Sequence, residues 1–188
     1  MASRFLSAGL LFGLNACGAA QAAQGSVLAD FEATLAAHDS ATAALRDWCG
    51  ARGIADPAQI RARPVTGEAG EIPPELRTLL EIGPEEKLGY RHVRLVCGET
   101  VLSEAHNWYV PGRLTPEMNR VLETTETPFG PVVSPLGFTR ERLASVRGRV
   151  PGCPENTVLA QRAVLKLPDG RPISAVVECY TAASLGES

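Results

Sequence analysis

Two β-prone runs, Tyr90–Cys97 and Val101–Val110, are separated only by Gly98-Glu99-Thr100, and that pairing constrains the chain more than any other feature in it. The length and composition of the linker suit a three-residue hairpin loop, so the runs fold back as antiparallel neighbours. A second pair, Thr157–Leu167 and Arg171–Thr181, carries the turn signal Pro168-Asp169-Gly170 between its members. Phe138–Arg147 and, more weakly, Gln59–Val65 supply further strands. Helices precede and interrupt them. Val27, Leu28, Phe31 and Leu35 recur at helical spacing over Ser26–Ala37. Asp39 or Ser40 then caps a helix from Ala41 to Cys49, and Thr115-Pro116 opens another that runs through Thr124. Gly67–Pro84, rich in Gly, Pro and Glu, reads as a surface connection with a short helical turn around Glu75–Leu80. Helices first and in the middle, with strands joined by hairpins, predict an α+β fold: a single antiparallel β-sheet of about six strands with helices packed on one face.

At 188 residues and 45% apolar content the chain suits one domain with its own core. The net charge of −3, with Lys and Arg scattered, leaves no basic stripe for nucleic acid. Arg4, the apolar stretch Phe5–Leu14 and the small residues through Ala23, including Ala20-Gln21-Ala22, form a secretory leader pattern. Residues 1–22 are therefore expected to be a signal peptide and 23–188 the domain, placed in the periplasm or secreted. Leu14-Asn15-Ala16-Cys17 offers a competing lipoprotein reading, weakened by asparagine at its second position. The apolar stretch falls short of the ~20 residues that span a bilayer, and no second one follows, so no transmembrane segment is expected in the mature chain. Removing the leader leaves Cys49, Cys97, Cys153 and Cys179, enough for two disulfides in any of three pairings. With no C-x-x-C, neither a thioredoxin-type nor a zinc-ribbon site is supported. A monomer is expected.

Glu178 is out of place in the β-prone run Ile173–Tyr180. Alternation puts it on one face with Ser174, Val176 and Tyr180, where a carboxylate needs a cationic partner or a raised pKa. In the first hairpin, His92 and Arg94 share one face, as do Glu104 and His106. A three-residue loop sets Arg94 against Glu104 and His92 against His106, whereas a two- or four-residue loop puts the groups on opposite faces. The plain reading is a solvated polar face with one cross-strand ion pair. A zinc site would use His92, His106 and a carboxylate, but two histidines on separate strands are weaker evidence than H-E-x-x-H, so no metal is assigned. G-x-S-x-G, G-x-G-x-x-G and G-x-x-x-x-G-K are all absent from the sequence.

Asp39-Ser40-Ala41-Thr42, Glu71-Ile72-Pro73-Pro74-Glu75-Leu76, the Tyr90–Pro111 hairpin segment, Thr127-Pro128-Phe129-Gly130, Phe138-Thr139-Arg140-Glu141 and Gly170-Arg171-Pro172 follow one another with small gaps. In that order they resemble the chorismate pyruvate-lyase family, whose fold is shared by effector-binding domains of some transcription regulators. The resemblance implies an enclosed pocket for a small aromatic or cyclohexadienyl carboxylate beneath helical flaps, without metal or cofactor. It assigns Glu178 to the family's catalytic glutamate on the last strand, and Arg94 or His92 to the carboxylate clamp. Ala41 and Phe129 stand at pocket-wall positions, and Asn107 replaces a second arginine. Loss of the arginines and the leader favour an exported binding protein with altered or residual lyase chemistry. The alternative is a non-catalytic envelope scaffold on the same fold. Glu178→Gln is expected to weaken ligand binding or turnover without unfolding the protein.

Overall fold

Ser40 and Thr115 set the helix boundaries that position everything else. The computed structural model describes residues 15–67 and 73–186, with side chains from residue 25 onward. The first helix, α1 (Asn15–Ala36), is followed by α2 (Ala41–Ala51), whose first turn is capped by the Ser40 hydroxyl accepting from the Ala43 amide. Most of the expected leader, and Glu71-Ile72 of the resembling segment, lie outside the described residues. Among the described residues no helix is long and apolar enough to cross a membrane. Thr115 caps α4 (Pro116–Thr124) by accepting from the Met118 amide, with proline at the position where its missing N–H costs nothing. Between these lies α3 (Glu75–Leu79), and after them the short α5 (Phe129–Val133).

The strands are β1 (Ile60–Pro64), β2 (Gly89–Cys97), β3 (Thr100–Tyr109), β4 (Thr139–Arg147), β5 (Thr157–Lys166) and β6 (Pro172–Thr181). They form one sheet in the order β1-β2-β3-β6-β5-β4, every neighbouring pair antiparallel. The α+β expectation is met. Helices α1 and α2 bury Phe31, Leu35, Leu45 and Trp48 against Ala62, Val93, Leu95 and Tyr180, while α4 and α5 cover Tyr109, Leu165 and Val176 with Leu122, Phe129 and Val133. The other face is more open: Leu76 and Leu80 of the α3 region cover Trp108 and Ala175 at one place, and Cys153 covers Ala160 and Cys179 at another.

The β2–β3 turn differs from the expectation, yet the register agrees with it. Cys97 pairs with Thr100, so the loop is only Gly98-Glu99, with Gly98 at φ 58° as its first position requires. The slip this would cause is cancelled by a bulge. Leu95 opposes Ser103 and Val96 opposes Val101, leaving Leu102 as the extra residue, buried in the core. Arg94 therefore faces Glu104 and His92 faces His106.

Arg113 fastens the Pro172 end of the sheet to the chain after α3. Its buried guanidinium donates to Glu86 and to the carbonyls of Leu80, Glu81 and Pro172. These bonds from Arg113, then the Gly83 amide, pull the Glu86 carboxyl down to about 2 from an ordinary 4.5. A depressed carboxylate contributes stability that is complete above the unfolded value and disappears as pH falls from about 4.5 towards 2. Glu86→Gln is expected to flatten the thermal-unfolding midpoint across that acid range, and a profile as steep as the parent's counts against the anchor.

Candidate functional site

Between the sheet and its helical cover lies a narrow cavity of about 50 Å³. Its floor is Arg91, Val93 and Leu95 of β2, Ala105 and Asn107 of β3, and Val176 and Glu178 of β6; Asp39–Thr42 and Phe129-Gly130 form its lid. The lid is tight because a Cβ on Gly130 would stand 2.5 Å from Ser40 Oγ, the atom that caps α2. Outside the lid, a cleft of about 660 Å³ shares Ser40, Thr42 and Gly130 with the cavity.

Glu178 sits on a central strand, between Ala105 and Gln161. It is 5% exposed, and its charge is met by Arg140 of β4, 2.5 Å away. Arg140 Nη1 lies 3.4 Å from the second carboxylate oxygen, and the Tyr180 hydroxyl donates to Glu178 Oε2 at 2.9 Å. Burial alone would lower the Arg140 pKa, but the charges of Glu178, Tyr180 and Asp39 and the hydrogen bond to Glu178 together outweigh it and the net shift is upward. Burial, followed by the Glu178 charge, pushes the Tyr180 phenol well above its ordinary range. This carboxylate is a locked ion pair, an arrangement suited to electrostatic positioning rather than to delivering a proton.

Among the described residues, Arg91 is the other cation lining the cavity. Half-buried, it reaches only the Thr127 carbonyl, at 3.3 and 3.4 Å, and burial lowers its pKa. Among the described residues no carboxylate lies within ion-pair distance of it. Asn107 lines the same wall and accepts from the Ser174 hydroxyl.

Of the residues named from sequence, the cavity gathers Glu178, Asn107, Phe129 and Ala41. It does not gather His92 and Arg94. Strand alternation places Arg91, Val93 and Leu95 towards the helices and His92 and Arg94, which both bond Glu104, towards the opposite face, away from the cavity. The missed residues are Arg91 and Arg140. Arg91 could have been found from its apolar face-mates Val93 and Leu95, and Arg140 from the demand that a buried Glu178 makes for a cation.

On the opposite face, His92 Nε2 lies 2.9 Å from Glu104 Oε1, and Arg94 Nε donates to Glu104 Oε2 at 3.0 Å. Burial raises the Glu104 pKa, but its bonds to Arg94 and His92 prevail and the net shift is downward. The His92 and His106 rings stack at 4.1 Å. Beside them runs a groove of about 660 Å³, walled by Tyr90, Trp108, Leu143, Val146 and Val150–Gly152. Disulfides join Cys49 to Cys97 and Cys153 to Cys179. The first ties α2 to the end of β2, and the second holds the segment before β5 against β6 on the groove side.

No protein-family model matches the chain. The effector domain of PhnF from Mycobacterium smegmatis superposes with a TM-score of 0.52 at 13% identity, covering 77% of this chain and 90% of that one. The longer PhnF chain gives 0.53 at 12% identity, covering 78% of this chain but only 65% of PhnF. These likenesses establish the fold, that of the effector-binding domains to which the chorismate-lyase resemblance points. In sequence, the uncharacterized protein y4mC of Sinorhizobium fredii is 44% identical over 175 residues, spanning 83% of this chain and 74% of that protein. At that identity and coverage the chain belongs to the family of y4mC.

Proposed function

We propose that this protein binds a small carboxylate, aromatic or cyclic, in the cavity under the helical lid, with Arg91 as the cation that receives it. The observation that carries this is Arg91 itself: a half-buried guanidinium on the cavity wall whose hydrogen bonds go to a carbonyl alone. A planar guanidinium offers paired donors to a carboxylate, and partial burial strengthens that attraction. Asn107 supplies a second polar contact and Phe129 an apolar wall. The space of about 50 Å³ holds only a few water molecules. A ring-bearing acid therefore enters by displacing the Ser40–Thr42 and Phe129-Gly130 lid towards the adjoining cleft. Because Glu178 is already committed to Arg140, binding is the primary reading and lyase chemistry a secondary outcome of the same test. The leader-like first residues and the two disulfides support export to an oxidising compartment.

The test is a thermal-shift panel of benzoate, 4-hydroxybenzoate and chorismate, with each sample also followed for release of 4-hydroxybenzoate. A ligand at one hundred times its Kd should stabilise the folded state by about 2.7 kcal/mol. Arg91→Met should remove that shift while leaving the unliganded midpoint within a few degrees, since the side chain lost is an unpaired cation. An unresponsive parent protein, or an equal response in Arg91→Met, refutes the reading and favours a non-catalytic scaffold. Release of 4-hydroxybenzoate would add the lyase activity.

A further inference from the structure

We propose that His92, His106 and Glu104 form a binding site for a divalent transition metal of the zinc class on the groove face of the sheet. One ligand atom from each of the three residues lies within 4.8 Å of the other two. The juxtaposition follows from the register: His92 and His106 are directly opposed across β2 and β3, and Glu104 is two residues from His106 on the same strand face.

The atom that asks for a ligand is His106 Nε2, which is buried and has no hydrogen-bond partner. The other ring nitrogen, Nδ1, is 2.8 Å from the Tyr90 hydroxyl. In the tautomer that donates Nδ1–H to the Tyr90 oxygen, Nε2 carries a bare lone pair, the arrangement in which an outer partner orients a metal-binding histidine. Glu104 is oriented in the same way, with Arg94 on Oε2 and Oε1 turned to His92. Two imidazoles and one carboxylate are a zinc donor set that leaves a coordination position for water, and they do not suit magnesium or calcium, which favour oxygen ligands. The Arg94 charge opposes a cation here, but its side chain is 53% exposed and can turn into solvent.

The experiment is calorimetric titration of the disulfide-bonded chain, without a histidine tag and in a Cys17→Ser background, with ZnCl2 after chelator treatment. One Zn²⁺ should bind per chain, with affinity reduced tenfold or more in His92→Gln and in His106→Gln. Arg94→Gln should bind several-fold more tightly, because it removes the competing cation; a gain in affinity cannot come from a damaged fold. Co²⁺ in place of Zn²⁺ should show visible bands that disappear in the double histidine variant. Absence of saturable Zn²⁺ binding, or binding retained in the double variant, overturns the assignment.

Discussion

Replacing both disulfides is expected to remove about 7.5 kcal/mol of stability, more than any single side-chain replacement in the chain should cost. The bridges close loops of 48 and 26 residues, worth about 4 and about 3.5 kcal/mol respectively in the chain-entropy account. Against the roughly 5–15 kcal/mol that holds a typical domain folded, the sum approaches the whole. For a chain of this size the unfolding midpoint should fall by roughly 15–30 °C. Cys49, Cys97 and Cys179 are fully buried and Cys153 nearly so, hence mild reductant alone should act slowly. The clean comparison is Cys49→Ala/Cys97→Ala against Cys153→Ala/Cys179→Ala by thermal and urea unfolding. The first pair should loosen α2, which carries part of the cavity lid. The second should free the segment around Gly152 and so weaken Zn²⁺ binding as well. Midpoints unchanged in both variants would show that the bridges contribute nothing to stability.

The sheet was legible because its signals are local. Strand ends at Cys97, Arg147, Thr157 and Thr181 fall where β-propensity and turn residues put them, and the Ser40 and Thr115 caps act over a few residues. The β2–β3 register was reached despite a different loop, since an extra residue at Leu102 compensates for one fewer in the turn. No local pattern announces such a cancellation. The clamp was harder to read because the two faces of β2 each carry positive or ionisable groups, Arg91 on one and His92 with Arg94 on the other. Only the apolar company of Arg91 marks the covered face. Arg140 was harder still. Its partner lies 38 residues away in sequence and two strands away in the sheet, so only the assembled fold brings the charges together. The three possible cysteine pairings were likewise open until the sheet fixed which thiols meet.

Breaking the Arg140–Glu178 pair should cost about 3–5 kcal/mol, because either partner left alone is a charge buried without compensation. The side chains are only 5% and 7% exposed. Glu178→Gln is therefore expected to weaken the fold as well as ligand binding, because it leaves a buried guanidinium without its ion-pair partner. The two single variants should then diverge with pH. In Arg140→Met the lone carboxylate can neutralise itself by taking up a proton, and burial lifts its pKa above the unfolded value. A carboxyl raised in the folded state binds protons that the unfolded chain does not, so the stability of Arg140→Met should recover as pH falls from 7 towards 5. Glu178→Gln should show no such recovery, since arginine retains its proton throughout that range. Arg140→Met/Glu178→Leu should regain most of the loss at neutral pH, as apolar replacements of similar volume often match a buried ion pair. A residual deficit of about 1–3 kcal/mol is expected from the Tyr180 hydroxyl, which loses its Glu178 acceptor, and Tyr180→Phe in the same chain should recover part of it. Parallel pH profiles for the two single variants would show that the buried charge is not what destabilises them. Additive losses in the double variant would show that the two groups do not act as a pair.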